Sequence, residues 1–369
     1  MKNVSLKLNV PETKKQFDSL FSVINRTTVL PILENIRIVQ NGSLQFMGND
    51  LENYVVVTKE SQSKDEFDFC IDSTSLKPFF DNKLADEFSI IGNEEKVCLE
   101  SSGFKVNVTL AKKLDQYPVK PVFESGITEK INSAELCKIF EKAIIFLSTD
   151  DLRPAMTGVY LCDWKDMLYV VATDAHRLFF KPVMKTPPSF KGLGIVIPRK
   201  AVKLFIQMFK NEELEIKIDK FRIFFCGKEK ELVSRLIDAK YPNFSAVLVS
   251  GEYKFSLQRK QLNAFIKIAI RFTHPITHQT ILTVDNEGIS FTGGDIDYDI
   301  DFSYKLPIYN PNKKIEKFYF GVNINFLQDA LSVNKKDEYV YFEHMGNPTK
   351  GFVIDDCVLM MPLMLKDNF

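Results

Sequence analysis

The segment Thr173–Leu178, with the sequence TDAHRL, holds the side chains best suited to chemistry. An aspartate two residues before a histidine could orient the imidazole as a general base, which would make Asp174 and His176 a hydrolytic pair. No nucleophile elbow, phosphate-binding loop, zinc-protease motif or dinucleotide fingerprint occurs in the chain. Hydrogen bonds to its own turn also explain an aspartate that ends a strand. We therefore predict a binding surface here and keep a hydrolase as the less favoured alternative.

Two other groups of side chains have the types that bind metal ions. His274 and His278 have the spacing of two ligands on a helix, but Pro275 disfavours a helix between them. Four aspartates alternate with apolar residues over positions 295–301, and this period of two predicts one strand with an acidic face. The EF-hand loop pattern is absent. The sequence predicts no metal site and no cofactor.

An internal repeat organises the whole chain, because three landmarks recur about every 120 residues. They are a proline that opens an apolar strand, an aspartate at a strand end, and a proline near the end of each repeat, at Pro31, Pro154 and Pro275, at Asp50, Asp174 and Asp295, and at Pro118, Pro242 and Pro362. No histidine follows Asp50 or Asp295 at the spacing of His176. The repeat therefore argues against catalysis at Asp174.

Each repeat has the same order of predicted elements: a strand, an amphipathic helix, a strand pair, a second helix and more strands. This order predicts an α+β fold. A repeat of about 120 residues can bury its own core, so we predict three similar domains at 1–125, 126–250 and 251–369. The junctions are neither long nor rich in glycine and serine, which predicts fixed domains instead of flexible linkers.

Charge is balanced overall but unevenly distributed. The chain has 48 basic and 48 acidic residues, which excludes nucleic-acid binding by bulk charge alone. The six predicted helices carry a clear excess of basic residues, most of it in the helices that begin at Arg199 and Arg259. This excess predicts a basic helical surface on an otherwise acidic protein. Solvation of ordinary exposed helix faces is the alternative.

The chain has no apolar segment typical of export or membrane insertion. Its first residues lack a continuous apolar stretch, and no stretch approaches the roughly 20 residues that span a bilayer. The six cysteines are scattered without a C-x-x-C pair, which predicts reduced, mostly buried thiols. We expect a cytoplasmic protein without membrane partners.

The end of the chain is an apolar run over 358–365. Its first residues read as a buried strand, whereas Leu363 to Leu365 follow Pro362, where continued ladder pairing is not expected. Flexible methionine and leucine side chains at a surface suit adaptable peptide binding.

The repeat, the TDAHRL segment and the ending Met361–Leu365 together resemble the bacterial DNA polymerase III beta subunit family, the beta sliding clamps, over essentially the whole chain. The resemblance implies three similar DNA-clamp domains per chain and a head-to-tail homodimer closed into a ring, with helices on the inner face and antiparallel sheets outside. It implies a non-catalytic processivity factor that holds double-stranded DNA without sequence preference. The implied partners are the replicative DNA polymerase alpha subunit, a clamp-loader complex and other proteins with a clamp-binding motif.

The same resemblance assigns site residues by motif. A pocket for an apolar partner peptide would be lined by Met156, Thr173, Ala175, His176, Arg177, Leu178, Pro242, Val247, Asn323, Phe326, Met361, Pro362, Leu363 and Met364. DNA contacts would come from Arg26, Arg199 and Lys200.

This chain departs from the family pattern at four places. Ala175 replaces the usual glycine, Ala246 an often basic residue, and Met364 the usual arginine, while Lys366–Phe369 extend beyond the usual end. Two possible charged contacts to a peptide are therefore missing. A three-domain protein-binding scaffold that does not encircle DNA is the main alternative function, and a hydrolase using Asp174 and His176 is the other.

Overall fold

The computed structural model describes residues 3–26, 30–61, 65–82, 84–248 and 251–365. The chain folds into two compact units. Unit 1 consists of Met1–Glu141, Asp163–Leu168 and Lys185–Asp238, and unit 2 of Lys142–Cys162, Tyr169–Met184 and Ala239–Phe369. In the described part of the chain, no helix is long and apolar enough to cross a membrane.

Six α-helices, two for each sequence repeat, occur in the described residues and confirm the predicted order. They are α1 Val10–Val23, α2 Ser73–Asp81, α3 Ser133–Ala143, α4 Arg199–Met208, α5 Arg259–Ala269 and α6 Ile324–Ser332.

The strands are short and antiparallel, as the turn spacing predicts. They are β1 Asn3–Asn9, β2 Asn35–Asn41, β3 Ser43–Asn49, β4 Asn53–Glu60, β5 Phe67–Asp72, β6 Glu87–Asn93, β7 Lys96–Ser101, β8 Phe104–Thr109, β9 Ile127–Asn132, β10 Gly158–Trp164, β11 Met167–Thr173, β12 Arg177–Lys185, β13 Gly194–Pro198, β14 Glu213–Ile218, β15 Arg222–Cys226, β16 Lys230–Arg235, β17 Tyr253–Gln258, β18 Gln279–Asp285, β19 Gly288–Asp295, β20 Ile300–Leu306, β21 Phe318–Asn323, β22 Tyr339–His344, β23 Phe352–Ile354 and β24 Val358–Met360.

Two sheets form unit 1, in the orders β1-β6-β7-β8 and β5-β2-β3-β4-β16-β15-β14-β9. In unit 2 one sheet has the order β20-β19-β18-β21, and a second contains β10-β11-β12-β24-β23-β22-β17. Each long sheet joins two repeats at one antiparallel strand pair. β4 pairs with β16, where Asn53 faces Ser234, and β12 pairs with β24, where Arg177 faces Met360. In both junctions the strand after the landmark aspartate pairs with the last strand of the following repeat.

Helix α1 shows how the sequence fixes each helix on its sheet. The Asn9 side chain caps the helix by accepting a hydrogen bond from the Glu12 amide at 3.1 Å. Phe17 and Leu20 are fully buried on the face that the apolar spacing predicts. The Phe17 ring lies 4.8 Å from that of Phe46 on β3 and 4.3 Å from that of Phe80 on α2, so aromatic packing holds α1 against both the sheet and the second helix.

Helix α5 begins with a buried charge that the sequence does not reveal. Arg259 counts toward the basic surface predicted for this helix, but its side chain is only 4% exposed and pairs with the equally buried Asp355 at 2.6 Å. Its other hydrogen bonds go to the carbonyl oxygens of Asp337, Leu331 and Tyr339. The surface charge of α5 is therefore smaller than predicted, because its first residue ties the helix to β22 and the turn after β23.

The prediction of one acidic strand over 295–301 is wrong. β19 ends at Asp295, a 3-10 turn covers Ile296–Tyr298, and β20 begins at Ile300. The Asp295 side chain accepts a hydrogen bond from the Asp297 amide at 3.1 Å, and Asp299 has a left-handed φ of 54°. The aspartates break the strand because such short side chains compete for backbone amides.

The cysteines lie where the sequence predicts. Cys70, Cys137, Cys162 and Cys357 are buried, and all six thiols are free. Burial raises the pKa of both Cys70 and Cys137 to about 12, so these thiols stay protonated and unreactive at neutral pH.

His344 is a buried histidine without a charged partner in the described residues. Its ring, 1% exposed, lies between the rings of Phe318 and Phe320 at 4.6 and 4.5 Å, and its Nδ1 accepts a hydrogen bond from the Gly346 amide. Burial lowers its pKa to about 4. The folded protein therefore keeps this ring neutral at pH values where the unfolded chain takes up a proton.

Unit 2 is therefore expected to lose stability as pH falls from about 6.5, the unfolded value, to about 4. The expected loss between pH 7 and 4.5 is about 2–3 kcal/mol. Urea unfolding at the two pH values measures it, and His344→Phe should remove this part of the pH dependence. The exposed His176 gives the control, since His176→Gln should leave the loss unchanged. An equal loss in His344→Phe and wild type would contradict the assignment.

Candidate functional site

The TDAHRL segment is the turn between β11 and β12. The Asp174 carboxylate accepts hydrogen bonds from the backbone amides of His176 and Arg177, both at 3.0 Å. Thr173 Oγ1 donates to the Arg177 carbonyl at 2.7 Å and accepts from the Ala175 amide at 3.1 Å. Asp174 and Thr173 thus satisfy the backbone of their own turn, as the repeat predicts.

Catalysis by Asp174 and His176 would require a contact between the His176 ring and the Asp174 carboxylate. In the described residues no hydrogen bond or ion pair joins the His176 ring to the Asp174 carboxylate. That carboxylate instead contacts Arg177 Nε at 2.9 Å, while the His176 ring stacks on Phe326 at 6.0 Å between centroids. His176 is positioned as part of a surface.

Ala175 adopts a backbone conformation that favours glycine, which is the usual residue at this position in the family that the chain resembles. Its φ is +76°, in the left-handed region, where a Cβ atom meets the following carbonyl oxygen. The turn holds this conformation because Thr173 and Asp174 accept hydrogen bonds from the Ala175 and His176 amides, one on each side of the Ala175 Cα. The chain therefore stores strain at the exposed tip of the turn.

Ala175→Gly is expected to stabilise unit 2 by about 0.5–1 kcal/mol, because relief of left-handed strain exceeds the entropy that glycine adds to the unfolded chain. Chemical denaturation measures the difference. Ala246→Gly is the matched control: Ala246 is also exposed, but it lies in the 3-10 helix Phe244–Val247 without a positive φ, so glycine should not stabilise there. Equal changes in the free energy of unfolding for Ala175→Gly and Ala246→Gly would show that Ala175 is not strained.

Arg177 is the central side chain of the site. It is 8% exposed, and its guanidinium contacts Asp174 at 2.9 Å, Asp329 at 2.6 Å and the Ile145 carbonyl at 3.0 Å. The rings of Phe146 and Phe326 lie 5.1 and 4.4 Å from its charged carbon. These contacts join β12, α6 and the segment after α3, so Arg177 fixes the walls of the site and is not free to bind a ligand carboxylate.

Helix α6 supplies the aromatic wall. The Asn323 side chain caps the helix, accepting from the amides of Asn325 at 2.9 Å and Phe326 at 3.4 Å. Phe326 is half-buried between the His176 ring and the Arg177 guanidinium. Asn323 is predicted as a peptide contact, and the structure gives it this capping role.

The last described residues run along the same site. The Met361 amide donates to the His176 carbonyl at 2.9 Å, and the Leu363 amide to the Gly321 carbonyl at 2.8 Å. As expected, β24 ends before Pro362, at Met360, and Leu363 forms only an isolated antiparallel bridge with Gly321. The backbones approach closely at this bridge, since a Cβ at Gly321 would lie 3.2 Å from the Leu363 carbonyl oxygen. Met364 is 87% exposed.

The other predicted pocket residues divide into buried and exposed ones. Leu178 is buried and faces Leu359 across the β12–β24 pair, so it belongs to the core beneath the site and not to its surface. Met156 is half-buried, and its carbonyl accepts from the Ser148 amide at 2.9 Å. Pro242 and Val247 are exposed. In the described structure none of Met156, Pro242 and Val247 has a hydrogen bond, ion pair or ring contact with Arg177.

Sequence reasoning missed Phe146, Ile145 and Asp329, which hold Arg177. Asp329 lies three residues after Phe326 on α6, a spacing that places both on one helix face and could have indicated it. Phe146 follows α3 without a distinguishing motif. Lys366–Phe369, the extension beyond the usual family end, lie outside the described residues.

The predicted DNA-contacting residues lie in unit 1. Arg26 is exposed, whereas Arg199 and Lys200 are half-buried at the start of α4. Lys200 Nζ lies 2.7 Å from the Asp50 carboxylate and donates to Asn25 Oδ1 at 2.9 Å. Lys200 is therefore next to the residue preceding Arg26, but a buried carboxylate neutralises much of its charge.

Comparison with known proteins finds related sequences and folds. Residues 130–243 match the family described as DNA polymerase III beta subunit, central domain. The beta sliding clamp of Rickettsia bellii is 23% identical over 367 residues, covering 92% of this chain and 94% of that protein. The clamp of Chlamydia muridarum is 24% identical over 355 residues, covering 94% and 95%.

Solved structures extend the likeness to the fold. A sliding clamp (DNA polymerase III subunit beta) from Bartonella birtlesii, bound to griselimycin, has a TM-score of 0.90 at 20% identity and covers 98% of this chain and 100% of that chain. A sliding clamp from Pseudomonas aeruginosa gives 0.88 at 19% identity, covering 99% and 100%. The fold is thus that of the three-domain sliding clamps. Residues 130–243 thus match the central domain of the DNA polymerase III beta subunit family, and over most of its length the chain is similar to beta sliding clamps.

Proposed function

We propose that this protein is a DNA sliding clamp that encircles duplex DNA as a homodimeric ring and tethers the replicative polymerase to it, which confers processivity. Beta sliding clamps are non-catalytic processivity factors, and by its likeness to them this protein is not an enzyme. Three domains at 1–125, 126–250 and 251–369 would each contribute one sixth of the ring.

The way in which the repeats join carries the proposal. Within the chain, β4 pairs with β16 and β12 with β24, by the same rule at both junctions. In the third repeat the strand that follows the landmark aspartate is β20, and in the first repeat the last strand is β8. Both are edge strands of their sheets. The rule therefore pairs β20 of one chain with β8 of another.

An edge strand presents unpaired backbone groups and is a ready template for a second chain. The exposed Phe104 on β8 and Tyr304 on β20 add apolar surface at these edges. Two such junctions between two chains related by a twofold axis close the assembly. Three junctions per chain then give a ring of six repeats.

The basic helices suit the interior of such a ring. Contacts from Arg26, Arg199 and Lys200 to phosphates would be independent of sequence and sensitive to salt, which permits sliding. Cytoplasmic location and placement on DNA by a clamp-loader complex belong to the same proposal.

Partner proteins would dock through a short apolar peptide on the surface around Arg177. Exposed Met361, Met364 and Val247 and half-buried Phe326 provide adaptable apolar contacts there. The polymerase alpha subunit, the clamp loader and other proteins with a clamp-binding motif would use this one surface.

Retention on closed DNA tests the proposal. Protein placed on a nicked circle should stay bound through gel filtration at moderate salt and should leave when the circle is linearised. Phe104→Glu should yield a monomer that is not retained, because a charge at the β8 edge opposes pairing. Phe221→Glu, at another exposed aromatic residue of unit 1, should behave as wild type. Equal retention on linear and circular DNA, or a monomeric wild type, would favour the scaffold without encirclement.

A further inference from the structure

Three side chains of metal-binding type converge where β19 ends. The candidate ligand atoms of His274, Asp295 and Asp297 all lie within 4.8 Å of one another. His274 Nε2 is 3.6 Å from Asp297 Oδ2. The cluster exists because the 3-10 turn Ile296–Tyr298 interrupts the acidic segment and folds Asp297 back toward Asp295.

Backbone hydrogen bonds hold the three residues in place. The His274 amide donates to the Gly294 carbonyl at 3.1 Å, which fixes His274 beside the end of β19. The His278 amide donates to the His274 carbonyl at 2.9 Å, and the Asp297 amide donates to Asp295 Oδ1 at 3.1 Å. The arrangement is therefore set by the fold before any ligand arrives.

Comparison of the repeats shows that the third landmark aspartate lacks the cation that the other two have. Asp50 lies 2.7 Å from Lys200 Nζ, and Asp174 lies 2.9 Å from Arg177 Nε. Asp295 is also largely buried, at 6% exposure, yet in the described residues it has no ion pair with a lysine or arginine and accepts one hydrogen bond. A buried carboxylate such as that of Asp295 is costly unless a cation or several hydrogen bonds compensate for the lost water.

We propose that His274, Asp295 and Asp297 bind one divalent transition-metal ion, with Zn²⁺ as the best match. One imidazole nitrogen with two carboxylate oxygens suits Zn²⁺, whereas Ca²⁺ and Mg²⁺ take oxygen ligands. Water would complete the coordination. The ion supplies the positive charge that lysine and arginine supply to the matching aspartates of the other repeats.

The hydrogen bonds of the His274 ring nitrogens determine how tightly a metal ion is expected to bind. Nδ1 accepts long hydrogen bonds from the amides of Ile276 at 3.3 Å and Thr277 at 3.4 Å, so Nε2 is the nitrogen facing the carboxylates. A metal ion on Nε2 moves the ring proton to Nδ1 and sacrifices these two contacts. Binding should therefore be weaker than at a closed structural zinc site.

Titration of the metal-free full-length protein with Zn²⁺ in a calorimeter tests the site. The wild type should bind one equivalent that excess Mg²⁺ does not displace. His274→Ala and Asp295→Asn should each weaken this binding at least tenfold. Asp297→Ala should do the same without a folding effect, since its side chain is 75% exposed. His278→Gln is the matched control, because the His278 ring contacts Thr273 Oγ1 and not the cluster, and should keep the affinity.

Co²⁺ as a second probe identifies the ligand atoms. The expected absorption has the weak visible bands of nitrogen and oxygen ligands, and these bands should be absent in Asp297→Ala. A thiolate charge-transfer band would assign the metal to a cysteine and overturn the proposal. Unchanged Zn²⁺ affinity in His274→Ala and Asp297→Ala, or full displacement by Mg²⁺, would also overturn it.

Discussion

Replacing Arg259 by alanine is expected to lower the free energy of unfolding of unit 2 by about 3–5 kcal/mol, the usual cost of removing one partner of a buried ion pair. The substitution leaves the Asp355 carboxylate, 4% exposed, without its cation. It also leaves the carbonyl oxygens of Asp337, Leu331 and Tyr339 without their donor. Since these groups lie on different elements, α5 should lose its attachment to the rest of the unit.

Chemical denaturation followed by circular dichroism measures this loss. The neighbouring Lys260 gives the control, since it is exposed on the same turn of α5 and Lys260→Ala should change the unfolding free energy by less than about 0.5 kcal/mol. Arg259→Lys should rescue only part of the loss, because one ammonium cannot replace a planar fork with several donors. A loss below about 1 kcal/mol in Arg259→Ala would show that Asp355 does not depend on this partner.

Replacing Arg177 by alanine is expected to weaken binding of an apolar polymerase peptide at least tenfold and to lower the stability of unit 2 by about 2–4 kcal/mol. The guanidinium holds Asp174 and Asp329 in place and supports the Phe326 ring. Without it two carboxylates lose their cation, and Phe326 loses the surface on which it packs against His176.

Fluorescence anisotropy with a labelled peptide from the polymerase alpha subunit measures the affinity, and denaturation measures the stability. Arg153→Ala is the matched control, because Arg153 is exposed and its ion pair is with its neighbour Asp150 at 3.5 Å. Phe326→Ala separates the two effects, since it removes ring surface but keeps the ion pairs. If Arg177→Ala loses stability but binds the peptide as wild type does, the peptide surface lies elsewhere.

Periodicity in the sequence predicts the repeated architecture well, because each repeat has to bury one helix stripe on a strand pair. The buried stripe of α5, Leu262, Ile266 and Ala269, follows directly from its spacing. The burial of Arg259 does not, since its partners are 72 to 96 residues away in the chain. Local patterns carry no information on such distant partners.

The candidate site also has contacts that the sequence could predict and contacts that it could not. The turn around Asp174 could be predicted, because its hydrogen bonds span only two or three residues. The pairing of Arg177 with Asp329 joins residues 152 apart and requires the fold. The bridge between Leu363 and Gly321 also joins residues that are distant in the chain and so requires the fold.

The position of Arg177 has a mechanical consequence. It is the first residue of β12 and faces Met360 in the short ladder that joins the second and third repeats, while its guanidinium supports the half-buried Phe326. A ligand that holds Phe326 and Arg177 together therefore raises the force needed to peel β24 from β12. By thermodynamic reciprocity, tension that separates β24 from β12 weakens binding of the ligand by the same free energy.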